Sequence, residues 1–367
     1  MKRFIKLVAL FLIPILLLGG SCFIVLYRGG ELFVSNSLKP LQENQLLGLA
    51  YTDIRAPYKY AMTEYYQPEV VALGSSRIMQ IKRNIINEHY SFYNAGGAAG
   101  NLYEYELFLD QIHFTPKLII MNLDQWAFNP NYIDQRKAFN KKCFVLQETG
   151  FVYKYKKLLI DIVLGKINFS VLFDKDNTNI GFSGRINGSG FANDGSYYYG
   201  NYINNPSAAE DYNFKDTYDR IKNGRSRFEY CDEADTTNLA TIDTFLSKCH
   251  DRGIKVIAFL PPFAPSICEK MNNSGQYNYM KQIYNILSPI FEKFDNCFIY
   301  DYTDMTSMGV HNYDFIDGFH GAENIYSLII KDIVNHNKDV SDFFKTNDEI
   351  DTIYSLYKQQ NIRYHSF

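Results

Sequence analysis

Three short stretches of the chain carry residue types that can make and break an acyl bond. The first is Gly74-Ser75-Ser76, which closes the apolar run Val70 to Leu73. A serine on a tight strand-to-helix turn is exposed, and a helix N-terminus beside it favours negative charge. The second is Gly96-Gly97-Ala98-Ala99-Gly100, where small side chains let backbone N–H groups approach a substrate oxygen, as an oxyanion hole requires. The third is Asp317-Gly318-Phe319-His320. A carboxylate three residues before a histidine can orient the imidazole, which then takes the proton from a serine hydroxyl. Each stretch has an ordinary use too: an N-cap, a turn, a surface pair. Together and in this order they read as a nucleophile, Ser76, an oxyanion site, and a base with its orienter, His320 and Asp317.

The elements that must position them follow a β-α-β-α-β order. Val70 to Leu73 reads as a strand, Arg77 to about His89 as a helix, and Ser91 to Asn94 as a second strand. Leu102 to His113 reads as a helix and Leu118 to Leu123 as the third strand. The same grammar returns with a helix from Thr237 to Asp251 and a buried strand from Ile254 to Leu260, stopped by Pro261-Pro262. A helix near Tyr277 to Phe294, a strand from Cys297 to Tyr300 and a helix from about Gly321 to His336 complete it. Such alternation predicts an α/β fold, a five-stranded parallel sheet with helices on both faces. Sites in open parallel sheets gather at the carboxyl ends of the strands, where all three stretches fall.

Composition bounds the rest. The chain has 367 residues, is 46% hydrophobic, and holds 30 Tyr and 28 Phe, enough for a large core. A net charge of −3 supplies no field for a polyanion, so no nucleic-acid partner is expected. Six cysteines stand at 22, 143, 231, 249, 268 and 297 with no C-x-x-C pair, and most are expected to be buried thiols. The histidines apart from His320 (His89, His113, His250, His311, His336 and His365) have no partners at metal-ligand spacing, so neither metal nor cofactor is expected. Lys2, Arg3 and Lys6 precede an apolar run from Leu7 to Tyr27, closed by Arg28. That run spans about 30 Å as a helix, a bilayer core. The positive flank stays in the cytoplasm and places the remainder on the far side. A cleaved signal peptide is the competing reading, but its apolar region is shorter. Cys22 in Gly19-Gly20-Ser21-Cys22 hints at a lipoprotein site, though Phe23 to Tyr27 continue the run.

With these blocks in place, the chain resembles the SGNH/GDSL hydrolase superfamily. Gly74-Ser75-Ser76 is similar to its first block, Gly-Asp-Ser, with the nucleophile at Ser76. Asn94 to Gly100 is similar to the second, whose glycine amide helps form the oxyanion hole. Gly100 takes that place, with Ala99 the competing alignment, and Gly97 lines the same loop. Asp317-x-x-His320 resembles the fifth block, which supplies acid and base. The likeness covers roughly residues 66–130 and 235–336 and implies a three-layer α/β/α sandwich with a flavodoxin-like sheet. Ser75 in place of the family's Asp, with the N-terminal anchor, looks most like the extracytoplasmic branch. That branch includes the D-alanyl transfer protein of teichoic acid systems and the alginate O-acetylation proteins. One block departs. The third should read Gly-x-Asn-Asp, its Asn donating to the oxyanion, but Asn122-Leu123-Asp124-Gln125 puts Asp124 there. An ionised Asp124 repels an oxyanion, so it is expected to be protonated, turned away or engaged elsewhere. The neighbouring Trp126 either walls the pocket or is structural.

The expected organisation is an anchor at 1–30, a linker at 31–65, a catalytic domain at 66–336 and a helical tail at 337–367. An insertion at about 135–230 interrupts the domain. Its tyrosines, Tyr197 to Tyr202, either stack on sugar rings or fill the small core beneath. The resemblance implies a serine esterase or O-acyltransferase that moves an acetyl or D-alanyl-like group to or from a cell-surface polysaccharide. It also implies a membrane-bound O-acyltransferase as partner. The alternatives are a non-catalytic glycan-binding or scaffold subunit, and a plain carbohydrate or lipid esterase.

Overall fold

The computed structural model describes residues 1–133, 144–200, 205–209 and 211–361. Cys143, Tyr202 and His365 lie outside them, as does part of the expected insertion. The chain divides into two compact units.

The first unit comprises Met1–Ile54, Leu146–Asn193 and Tyr198–Gly200. Its leading helix, Lys2–Arg28, is long and apolar enough over Leu10–Arg28 to cross a membrane. The last turns of this helix are buried. Cys22, Val25 and Leu26 pack with Leu32, Tyr51, Leu158, Leu172 and Phe182 in one apolar cluster. Beyond the helix, the Glu31 carboxylate is fully buried and accepts the N–H groups of Ala50 (2.8 Å), Tyr51 (3.2 Å) and Phe182 (2.9 Å). Residues 31–65 are therefore not a linker. Up to Ile54 they are part of this unit, and Arg55–Tyr66 is a helix of the other. The expected insertion divides too, because Leu146–Asn193 clusters with the N-terminal residues and not with the sheet.

The second unit holds the expected five parallel strands: β1 (Val70–Gly74), β2 (Phe92–Gly96), β3 (Leu118–Asn122), β4 (Lys255–Leu260) and β5 (Cys297–Asp301). They run in the order β2-β1-β3-β4-β5. Every residue of the first three is buried, as continuous apolar strands covered on both faces must be. Helices flank the sheet: Leu239–Asp251 buries Ile242, Phe245 and Leu246, and Glu323–His336 buries Ile325, Ile329, Ile330 and Ile333. The tail forms the helix Asn347–Asn361.

The connection from β1 to β2 differs from the expected helix over 77–89. It contains two three-residue 3₁₀ turns, Ser76–Ile78 and Arg83–Ile85. Its carbonyls are used by distant donors in place of the helical ladder. The Tyr326 hydroxyl takes Arg77 O, the Asn94 amide takes Ile78 O (2.9 Å) and Ile81 O (2.8 Å), and Tyr197 N takes Met79 O (3.1 Å). Tertiary hydrogen bonds thus override helix propensity here.

Lys59, on the helix Arg55–Tyr66, is fully buried and donates to Asn94 O (2.8 Å) and to Gly195 O. Burial depresses its ammonium to about 7. A depressed lysine adds stability that is fully present above its unfolded value, 10.5, and lost as pH falls through the folded one. Stability of the wild type over Lys59→Met is therefore expected to rise from pH 7 to 10, with a slope approaching about 1.4 kcal/mol per pH unit. Urea titrations of both proteins across that range check it; parallel pH profiles would show that Lys59 is charged in the fold.

Candidate active site

The sheet brings the Ser76 turn and the Asp317–His320 loop together at the carboxyl ends of the strands. Gly74 ends β1 against Asn122, the last residue of β3, and a Cβ on Gly74 would overlap Asn122 Oδ1. That close approach lets the Asn122 amide hold the next residue at both ends. Ser75 N donates to Asn122 Oδ1 (3.0 Å), and Asn122 Nδ2 donates to Ser75 Oγ (3.0 Å). Ser75 Oγ also accepts Arg77 N (3.2 Å), capping the 3₁₀ turn that begins at Ser76.

Ser76 then faces the histidine. Its Oγ lies 2.8 Å from His320 Nε2, and His320 Nδ1 lies 2.6 Å from Asp317 Oδ2. The other oxygen of Asp317 accepts the N–H groups of Phe319 (3.0 Å) and His320 (2.8 Å), so the carboxylate fixes the loop that carries the ring. Gly318 N is held by Asp211 Oδ2 (2.9 Å). Burial pushes the Asp317 carboxyl up, but the His320 ring and these two N–H groups outweigh it and hold the group below its ordinary value. An ionised Asp317 only accepts, which assigns the ring proton to Nδ1 and leaves Nε2 to take the Ser76 proton. All three predicted catalytic residues are brought together.

The predicted oxyanion loop is arranged differently. Gly97 N donates to Gly74 O (2.7 Å), Ala98 N to Ala95 O (3.1 Å) and Ala99 N to Gly74 O (3.2 Å). Gly100 N donates to Glu104 Oε2 (2.5 Å), part of the cap on the helix Leu102–Gln111. Neither Gly97, Gly100 nor Ala99 has an N–H to spare. Among the described residues the N–H of Ser76 has no acceptor. Since only a three-residue turn follows it, the helix N-terminus expected behind Ser76 is absent.

Asp124 is engaged, as one of the three expectations had it. Asn122 Nδ2 donates to its Oδ1 (2.8 Å), and Arg77 Nη1 lies 3.6 Å away. Burial pushes its carboxyl above its ordinary value, and Arg77, the Ser75 hydroxyl, Arg227 and His320 offset that only in part. Trp126 is buried, edge-on to Phe319 at 5.9 Å between ring centres.

The sequence reading missed Arg77. It follows Ser76 directly, is fully buried, and connects four loops. Nε donates to Phe319 O (2.9 Å), Nη1 to Gln125 Oε1 (2.8 Å), and Nη2 to Pro261 O (2.9 Å) and Pro262 O (2.6 Å). Its plane lies over Phe263 (4.4 Å) and Trp126 (5.0 Å). The signal available was a charged residue set between Ser76 and Ile78-Met79 in an otherwise apolar turn, and a polar Asn122 ending an apolar strand.

Comparison with known proteins finds no matching family model, no matching curated protein and no matching solved structure.

Proposed function

We propose that this chain is a membrane-anchored serine esterase or O-acyltransferase of the SGNH/GDSL kind, acting outside the cytoplasm on a cell-surface glycan or polyol polymer. The observation that carries the reading is the unbroken hydrogen-bonded series Ser76–His320–Asp317. The strand order, that of a flavodoxin-like doubly wound sheet, supports the three-layer assignment. Ser76 Oγ attacks the acyl carbonyl while its proton passes to His320 Nε2. The tetrahedral oxyanion is received by the Ser76 N–H, and collapse breaks the bond to the leaving oxygen or sulfur, which takes the proton from His320. Water or an acceptor hydroxyl then gives its proton to His320 and attacks acyl-Ser76, and collapse breaks the acyl bond to Ser76 Oγ, which takes that proton back from His320. One identified oxyanion donor where two are usual favours slow hydrolysis, since a lost donor is worth roughly 10²–10³ in rate. A missing donor slows attack by water and by an alcohol alike, so transfer prevails where the site holds an acceptor hydroxyl against acyl-Ser76. A membrane-bound O-acyltransferase would supply the acyl group as partner.

Intact cells treated with a membrane-impermeant fluorophosphonate are expected to carry the label on Ser76. If the folded, detergent-solubilised protein takes no label, the catalytic reading falls and the scaffold alternative replaces it. Labelling only after the membrane is opened would overturn the location.

A further inference from the structure

Three arginines surround the Trp126–Phe319 pair, and two of them are committed. Arg77 is bonded at every nitrogen and sits beside Asp124. Arg220 lies 5.9 Å from the Phe319 ring centre and is paired with Asp216. Arg227 is different. Among the described residues no hydrogen bond and no carboxylate within 4.0 Å meets its guanidinium. The group lies 5.2 Å from the Trp126 ring centre and 5.6 Å from that of Phe319. The Phe319 ring is in turn 4.5 Å from the ring of His320. An uncommitted cation thus stands one aromatic ring from the base.

The backbone that presents it is held against its preference. Ser226 (φ 56°) and Arg227 (φ 82°) are consecutive non-glycine residues in the left-handed region, a conformation that persists only where its surroundings impose it. Here Phe228 is fully buried between Phe263 (5.9 Å) and Phe319 (6.0 Å), and Arg227 N is bonded to Glu229 Oε2 (3.1 Å). The loop is anchored by its neighbours, and the arginine is left facing the aromatic pair. Arg227 draws on the buried Asp124 carboxyl through space without pairing with it, so its guanidinium N–H groups remain available to a ligand.

We infer that Arg227 is an anion-binding residue of the substrate site, receiving a carboxylate or phosphate carried by the acyl acceptor or donor. A planar guanidinium stacked on aromatic faces presents its N–H edge for bidentate binding of such groups. The inference rests on the proposed role of the Ser76–His320 pair only in naming the bound group as substrate; the anion site is measurable without it.

The test uses the full chain in detergent, with glycerol 1-phosphate and glucuronate set against glycerol and glucose. Binding is read by calorimetry on Ser76→Ala, and by protection of wild-type Ser76 from the fluorophosphonate. At least one charged compound is expected to bind about tenfold or more tightly than its neutral counterpart, the scale of one charge-assisted contact. Arg227→Gln should bring that ratio close to one, while Arg227→Lys, which keeps the charge, should retain part of it. Preference for the phosphate or for the carboxylate names the source. Equal binding of charged and neutral compounds, or a ratio unchanged in Arg227→Gln, overturns the inference. So does an equal loss for both kinds of compound, which would put Arg227 on the reacting carbonyl or in the fold. If Ser76 takes no label yet Ser76→Ala keeps the charge preference, acyl transfer falls and the anion site stands.

Discussion

Replacing Ser76 by Ala is expected to lower cleavage of an acetyl ester by about 10⁴-fold or more while leaving thermal stability close to that of the wild type. Among the described residues its hydroxyl meets one side chain, at His320 Nε2, so its loss disturbs little of the packing. His320→Ala should cost as much in rate, and the double change little more, because the two act as one unit. Asp317→Asn keeps the shape but lets the imidazole settle in the wrong tautomer, and a similar loss of turnover follows. Stability separates it from Ser76→Ala. The folded Asp317 carboxyl sits below its unfolded value, so the stability it adds is complete above about pH 4 and is lost as pH falls below that. The difference in melting temperature between wild type and Asp317→Asn should therefore shrink in acid. Wild-type turnover by Ser76→Ala would end the triad assignment.

Arg77→Leu is expected to destabilise the sheet unit by about 3–5 kcal/mol, the cost of breaking a buried ion pair from one side. The loss has three sources: Asp124 keeps a buried carboxyl without its cation, three carbonyls lose a charged donor, and the stack on Phe263 disappears. Arg77→Lys should recover little, because an ammonium cannot reach Phe319 O, Gln125 and the two proline carbonyls with one fork. Arg77→Leu combined with Asp124→Leu should be more stable than Arg77→Leu alone, since the charges then leave together. Denaturant midpoints of the four proteins measure this. If Arg77→Leu unfolds at the wild-type midpoint, Arg77 is not the hub described.

Ser76, Asp317 and His320 were legible because they sit on two short stretches, Ser76 on one and the Asp317–His320 pair on the other, and because apolar strands with helices between them dictate a parallel sheet whose ends collect them. What was not legible depended on partners far along the chain. Whether Gly100 has a free N–H is decided by Glu104, whose carboxylate takes it for a helix cap. Whether residues 77–89 coil into a helix is decided by Asn94, Tyr197 and Tyr326, which claim the carbonyls. Asp124 looked like a defect in the third block because its partner was hidden; Arg77 lies 47 positions earlier in the chain and meets it only through the pairing of β1 with β3. The stretch after the N-terminal helix was misread as a linker for a related reason: nothing local marks Glu31 as a residue that three distant amides will enclose.

The buried end of the N-terminal helix bears on how this protein can be handled, by a cell or in the laboratory. Cys22, Val25 and Leu26 are core residues of the first unit, in contact with Leu158, Leu172 and Phe182. Severing the chain at Arg28 would strip that unit of one wall of its interior and leave those side chains open to water. The segment is thus a structural member and not a detachable tether. Shedding by a protease would yield a sticky fragment instead of a free soluble protein, and a soluble version is better begun before Cys22 than after Arg28.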